Sequence, residues 1–278
     1  MGALTRDSDE QIAAAATAAM ERLRAQRPAL RFELLGGFRV RRAGWELDEG
    51  VWQRPMAVRV VRFLLINGAA VVPEDVLFEA FWPDRPADSA RQHLAVAVSR
   101  ARKVLDLPGT AESVIDARER TYRLRLGERD SIDSAEFENA AAAALATAGP
   151  DRAGALERAA ALWTGEPLPE DRYAAWSFAW RERLVATYTQ VLIALIDGHE
   201  TAGRHDDVIL TAQRLLEVEP LNEDAHRRLM LAFTRTGRAS LALRQFLACR
   251  RSLVVELGVE PSDATSRLQA RILAGEPV

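Results

Sequence analysis

The sequence predicts a mostly α-helical protein with small β elements, and three observations lead to this prediction. Between residues 30 and 127, short alternating runs typical of strands surround three segments whose apolar residues recur every three or four positions. From residue 131 to residue 278 the helical pattern is almost continuous. Within that second part, Gly203-Arg204 recurs as Gly237-Arg238, 34 residues later, which is the period of tetratricopeptide helix pairs. We therefore expect a small mixed domain followed by an all-α domain of stacked helix pairs.

The composition describes a globular chain, and because no motif for a bound group emerges, we expect no cofactor. Of 278 residues, 48% are hydrophobic and 28% are charged, and no apolar run approaches the ~20 residues of a membrane span. A single cysteine, Cys249, excludes a disulfide framework and a CxxC metal site, so the sequence predicts a cytoplasmic protein without membrane contact. Residues 31–127 carry 16 basic and 13 acidic groups, whereas residues 131–278 carry 16 and 21. This asymmetry favours a first domain that faces nucleic acid.

The elements before the third helix follow in order. Residues 1–29 contain an alanine-rich helical segment that we interpret as a linker or an arm. Three short alternating runs then predict strands, and Pro55 is suited to the first turn of a helix that stops at Asn67-Gly68. A second helix opens at Pro73-Glu74 and stops at Pro83. The three predicted strands are Arg31–Leu35, Phe38–Arg41 and Trp45–Leu47.

The third helix and the hairpin after it are the candidate functional elements. Asp88 and Ser89 offer an N-cap before a helix whose apolar stripe predicts one buried side. That stripe consists of Ala90, Leu94, Ala97, Val98, Ala101 and Leu105. Two runs, Ser113–Asp116 and Thr121–Leu126, predict a hairpin around the polar turn Ala117–Arg120. Together these elements describe a winged helix-turn-helix, which suits duplex DNA. The alternative is a solvated amphipathic helix beside an ordinary surface hairpin.

Several motifs resemble one family of regulators. Leu34–Val40, Phe81–Asp84, Val98–Arg102 and Thr121–Leu124 resemble the OmpR-type winged helix of the Streptomyces antibiotic regulatory protein (SARP) class. The second part contains three segments that resemble the bacterial transcriptional activator domain (BTAD), which follows the winged helix in that class. These segments are Trp163–Leu168, Pro220–Glu223 and Glu256–Pro261. The resemblance implies a winged helix over residues 30–127 and a BTAD over residues 131–278. Thr121 departs from it, because the family usually has glycine before the hairpin tyrosine.

The resemblance implies a sequence-specific transcription regulator, more often an activator, with double-stranded promoter DNA as its ligand. Direct repeats bound by paired protomers, a homo-oligomer on DNA and contact with RNA polymerase are also implied. The polymerase would meet the loop Trp82, Pro83 and Asp84. The helical domain would supply oligomer contacts or receive a signal.

The outer face of the third helix and the wing would contact the DNA. The predicted base-reading residues are Arg91, Gln92, Ala95, Val96 and Ser99. The predicted backbone contacts are Arg54, Arg59, Arg100, Arg102, Lys103, Arg118 and Arg120. The family often places polar side chains where this chain has Ala95 and Val96. These two residues could contact thymine methyl groups, or base reading could be weak here. The rival hypothesis is therefore a tetratricopeptide-type interaction scaffold whose winged helix no longer reads DNA.

No catalytic set emerges from the sequence, so we do not expect an enzyme. The four histidines are not at metal-ligand spacing, and His205-Asp206-Asp207 falls in the turn between two predicted repeat helices. Cys249 has uncharged neighbours on its own helix face, which favours a structural thiol over a nucleophile. An aromatic cluster is interpreted as core or inter-domain packing, with a ligand or partner groove as the alternative. Its members are Trp163, Tyr173, Trp176, Phe178 and Trp180.

Overall fold

A computed structural model describes residues 29–52, 54–107 and 112–278. Its first part contains three helices and two small sheets, and its second part is helical almost throughout, which confirms the predicted fold class. The strands are β1 (Leu30–Glu33), β2 (Arg39–Arg42), β3 (Trp45–Glu46), β4 (Val72–Pro73), β5 (Ile115–Arg118), β6 (Thr121–Leu124) and β7 (Ser131–Ile132). The first helices are α1 (Pro55–Ile66), α2 (Glu74–Phe81) and α3 (Ala87–Leu105). The predicted N-terminal arm, apart from its last residue, lies outside the described residues.

The second part is a stack of antiparallel helices. Its helices are α4 (Asp133–Ala146), α5 (Arg152–Ala161), α6 (Ala175–Thr201), α7 (His205–Val218), α8 (Glu223–Arg235), α9 (Ala239–Leu257) and α10 (Asp263–Ala274). The two glycines of the repeated Gly-Arg pair end α6 and α8 at φ values of 68° and 75°. This is the left-handed region that glycine enters without steric cost, which explains why the same residue recurs at both turns. No described helix combines the length and the apolarity needed to cross a membrane.

Two details differ from the prediction: the start of α3 and the length of the wing turn. Helix α3 begins at Ala87, two or three residues earlier than an N-cap at Asp88 or Ser89 would place it, and Pro86 is its N-cap residue. The wing turn is confined to Glu119 and Arg120, whose φ values of 49° and 61° are both positive. Such a two-residue turn matches the twist of the flanking strands. The left-handed positions therefore precede Thr121, which lies in extended β6 and does not need to be glycine.

The two predicted domains share one hydrophobic core. Strand β7 pairs in parallel with β1, so the first sheet has the order β3-β2-β1-β7. The buried carboxylate of Asp133 accepts hydrogen bonds from the backbone N–H groups of Leu34 (2.8 Å) and Leu35 (3.0 Å). Further along, the N–H of Leu168 donates to the carbonyl of Leu34 at 2.8 Å. These bonds connect residues 98 to 134 positions apart in the sequence and form a joint between the winged helix and the helical domain.

The aromatic cluster divides into packing residues and exposed residues. Trp176 packs against Phe63 of α1 and Phe81 of α2, with ring centroids 5.5 Å and 5.9 Å away, which places it between the domains. Trp163 stacks on Tyr188 at 4.3 Å within the helical domain. The remaining members are Trp180, which is buried, and Tyr173 and Phe178, which are 93% and 62% exposed. Packing thus accounts for three of the five aromatic residues.

Cys249 is fully buried, and burial raises the pKa of its thiol to about 11. Because the thiolate is the reactive form, this residue acts as a structural thiol. The uncharged residues on its helix face led to the same interpretation.

We expect the buried His226 to make the stability of the helical domain depend on pH. Burial lowers its pKa below the ordinary 6.5, while the unfolded chain titrates normally. Below about pH 6.5 the unfolded state binds the extra proton, so stability should fall as the pH decreases toward the lower folded pKa. In denaturant titrations across this range, His226→Gln should flatten the decline. The matched control is His93→Gln, which replaces an exposed histidine of α3. Equal slopes for both variants would contradict the assignment.

Candidate nucleic-acid interface

Helix α3 presents one solvent-facing side between the wing and the loop after α2. Its stripe of six predicted apolar residues is buried, which orients the helix. Four of the five predicted base-reading side chains lie on the exposed side: Gln92, Ala95, Val96 and Ser99. Lys103 continues this side toward the C-terminal end of α3 and is also exposed.

The exposed side of α3 is bordered by a cleft on each flank. On the wing flank, a cleft of about 570 Å³ is lined by Ala95, Ser99 and Lys103 on α3 and by Tyr122 of β6. On the opposite flank, a cleft of about 430 Å³ is lined by Gln92, Val96, Met56, Trp82, His93, Ala97 and Arg54. Val96 is 49% exposed and faces this second cleft rather than the wing. The predicted base-reading residues are therefore split between the wing-side cleft, with Ala95 and Ser99, and the opposite cleft, with Gln92 and Val96.

The fifth predicted base-reading residue, Arg91, is half-buried, and its guanidinium is bonded to two carboxylates of the chain. Its Nη2 and Nε atoms donate to Glu74 at 2.7 Å and 3.1 Å, and its Nη1 donates to Asp88 at 2.8 Å. Glu74 is 4% exposed at the first position of α2. The hydrogen bond from Arg91 holds the pKa of this carboxyl below its ordinary value. Arg91 is thus bonded to Glu74 and Asp88 at the edge of the interface and does not extend freely into solvent.

Glu74 also connects α2 and α3 to the tip of the wing. Its backbone N–H donates to the carbonyl of Arg120 at 2.9 Å, and the Arg120 Nε lies 3.7 Å from its carboxylate. One buried carboxylate therefore adjoins the start of α2, a side chain of α3 and the turn between β5 and β6. Sequence patterns did not single out Glu74, because a glutamate in a first helical turn is common.

Some of the predicted DNA backbone contacts are already bonded within the chain, and others are exposed. Arg102 donates from Nε and Nη2 to the carbonyl of Ile115, which fastens β5 to α3, and Arg59 donates to Asp171 at 3.3 Å. These two guanidinium groups therefore already have partners within the chain. Arg118 and Arg120 at the wing tip are 70% and 74% exposed at their side chains. The others are Arg54 and Lys103, which are exposed, and Arg100, which is half-buried.

The outer face of the wing contains two arginines that were not predicted. Arg123 and Arg125 share the carboxylate of Asp116 at 3.2 Å and 2.7 Å, and Arg118 lies 3.0 Å from it. Their signal was present in the sequence, because apolar and basic residues alternate from Tyr122 in β6 to Arg125 just after it. Three arginines around one aspartate leave this face basic.

The predicted polymerase-facing loop is only partly exposed. Trp82 is 8% exposed, with its ring centroid 5.8 Å from that of Phe81 and 6.1 Å from that of His93. Its indole packs into the core because α2 ends there and the chain turns back onto α3. Of the three predicted residues, Pro83 and Asp84 remain at the surface.

Known proteins and one family match this chain, and together the matches cover most of its length. The model of the bacterial transcriptional activator domain matches residues 132–273. The regulatory protein AfsR of Streptomyces coelicolor is 32% identical over 90% of this chain, which spans 25% of AfsR. The regulatory protein DnrI of Streptomyces peucetius is 30% identical, with 79% of this chain and 84% of DnrI covered.

A solved structure is similar over the same region. Mycobacterium tuberculosis EmbR, in complex with a low-affinity phosphopeptide, superposes with a TM-score of 0.69. It is 26% identical, and the match covers 90% of this chain and 66% of that chain.

Proposed function

Because the chain belongs to the bacterial transcriptional activator domain family, as a SARP-type transcriptional regulator, we propose that it binds promoter DNA through its winged helix. The observation that carries the proposal is the single exposed side of α3, which runs beside a wing tip of two exposed arginines. The width of a major groove admits one helix, and a wing then meets the adjacent backbone. The relatives AfsR and DnrI are named regulatory proteins.

In this proposal the side chains on α3 have three roles. Gln92, Ala95, Val96 and Ser99 meet base edges, and Ala95 is small enough to let the helix approach closely. Lys103 holds a phosphate at the end of the helix. Arg91 and Arg102 position the interface from within, because both are bonded to protein groups.

The phosphate contacts come mainly from the wing. Arg118 and Arg120 at its tip meet the backbone, and Arg123 extends this basic surface. Arg54 and Arg100 are additional backbone contacts. We further propose that paired protomers occupy direct repeats, that Pro83 and Asp84 face RNA polymerase, and that the helical domain supplies oligomer contacts.

Salt dependence tests this function. If about 4–6 phosphates are neutralised, log K should fall with log salt at a slope of about −4 to −5. The double variant Arg118→Ala, Arg120→Ala should weaken specific and non-specific binding alike, by roughly 1–3 kcal/mol in total, and make the slope shallower. Fluorescence anisotropy would measure this with a duplex selected from a random library and its scrambled version. The matched control replaces Arg235 and Arg244 of the helical domain, both exposed, by alanine. A slope near zero would contradict DNA binding.

The apolar flank of α3 favours a second candidate, a protein-interaction scaffold. Val96, Met56 and Trp82 line one cleft, and such a surface also suits an apolar side chain of a protein partner. Under the DNA proposal, Val96→Ser should cost about 1 kcal/mol at a single A·T pair, the size of one lost methyl contact. Replacing that thymine by uracil should mimic the loss, and the two changes should not add. Unchanged DNA affinity together with a lost protein complex would favour the scaffold.

A further inference from the structure

A cleft of about 820 Å³ lies at the joint between the winged helix and the helical domain. One wall comes from β2, β3 and the first half of α1. The other comes from the short turn Pro169–Asp171 and the two residues that precede α6. Small-molecule sites typically enclose roughly 300–1,000 Å³ and often lie between domains. The size and the position of the cleft are therefore those of a ligand site.

The floor of the cleft is aromatic and aliphatic. Phe38 and Trp52 line it with ring centroids 5.9 Å apart, and Val58 of α1 lies beside them. Both rings are almost fully buried, at 7% and 5% exposure, and the guanidinium of Arg62 lies over the Phe38 ring, 4.8 Å from its centroid, so they form a fixed surface that is partly covered by this group. A flat ring of a ligand would pack against this floor and lose its contact with water.

Among the described residues, three acidic groups line the cleft, and each has a partner; the carboxylate of Glu46 lies 3.8 Å from Arg41. Asp171 accepts from Arg62 at 2.9 Å and from Arg59 at 3.3 Å, so its charge is neutralised. Glu170 accepts from the backbone N–H of Phe38 at 2.8 Å and lies 3.7 Å from Arg62. A cationic ligand would have to compete with these guanidinium groups for any of the three carboxylates.

The open end of the cleft is positive. Arg54 is exposed there, and its guanidinium makes no ion pair with any described residue. It is also the N-cap residue of α1, whose first turn has no acidic side chain. The partial positive charge of that helix end therefore adds to the charge of Arg54.

We propose that this cleft binds a small organic anion that contains an aromatic ring. Its carboxylate or sulfonate group would lie at Arg54, and its ring would lie on Phe38 and Trp52. Because the two walls belong to different domains, a bound molecule would contact both sides of the joint. The proposed DNA interface shares only Arg54 with this cleft, as an additional backbone contact, and the probe measurements contain no DNA, so the inference is tested apart from the proposed function.

Two fluorescent probes of nearly equal shape test the proposal on the full chain. The first is 8-anilinonaphthalene-1-sulfonate, a ring-containing anion, and the second is N-phenyl-1-naphthylamine, its neutral counterpart. Arg54→Ala should weaken binding of the sulfonate about tenfold, the size of one lost charged contact, and leave the neutral probe unchanged. Val58→Trp should fill the floor and weaken both probes. Ala174→Trp fills the cleft from the opposite wall and should do the same, and Arg244→Ala is the surface control.

Thermal unfolding shows which variants are folded. The test requires that at least one of the two variants that fill the cleft, Val58→Trp or Ala174→Trp, is folded. Binding of the sulfonate that is equal in wild type, Arg54→Ala and a folded filling variant would place the probe elsewhere and overturn the proposal. Equal weakening of both probes by Arg54→Ala would overturn the preference for an anion. Absence of binding to the wild-type chain would overturn the site itself.

Discussion

A fragment that ends at Gly127 is expected to lack a stable fold, although it contains every predicted residue of the winged helix. It loses the Asp133 carboxylate, whose removal leaves the buried N–H groups of Leu34 and Leu35 without acceptors. It also exposes Phe63 and Phe81, which pack against Trp176 of the helical domain. Together these losses exceed about 5 kcal/mol, which is comparable to the whole stability of a typical domain. Circular dichroism with a urea titration would measure the effect.

Point variants in the full chain separate this effect from truncation alone. Asp133→Ala should lower the free energy of unfolding by about 3 kcal/mol, since hydrogen bonds to a buried charge contribute about 1.5–3 kcal/mol each and a water replaces part of them. Asp151→Ala removes an exposed aspartate that precedes α5 and makes no side-chain cap, so it should change stability by less than about 0.5 kcal/mol. A fragment that unfolds cooperatively at the same urea concentration as the full chain would refute the shared joint.

The second large effect is expected from Glu74→Ala, in the specificity of DNA binding. This change releases Arg91 of α3 and removes the carboxylate beside Arg120 at the wing tip. The ratio of specific to non-specific affinity should fall about tenfold, within the range of one misplaced base contact. Non-specific affinity should not decrease, because the variant loses a negative charge near the phosphates. Anisotropy titrations with a selected and a scrambled duplex give both constants.

Glu79→Ala is the matched control, since Glu79 is an exposed glutamate on the same helix. It removes the same charge without releasing Arg91. An equal fall in the specificity ratio for both variants would reduce the effect to net charge and exclude a positioning role for Glu74. An unchanged ratio in Glu74→Ala would exclude it directly.

Periodicity in the sequence was enough to predict the elements that depend on local interactions. The buried stripe of α3 follows from apolar residues at helical spacing, and the sequence pattern placed all six members correctly. The 34-residue recurrence of Gly-Arg located two helix ends, because a left-handed residue is required at each. The alternating run Tyr122–Arg125 also contains Arg123 and Arg125, although the predicted DNA contacts of the wing include only the arginines at its tip.

Tertiary structure alone decided which charged groups are available to a ligand. Arg91, Arg102 and Arg59 all appeared as free cations in the sequence, yet each one is bonded to a group between 13 and 112 residues away. The period of a helix shows which side is buried, but it does not identify the carboxylate or carbonyl that packs beside a given guanidinium. That partner depends on how distant elements pack. The same reason explains why the joint at Asp133, which connects the winged helix to the helical domain, could be seen only in the folded chain.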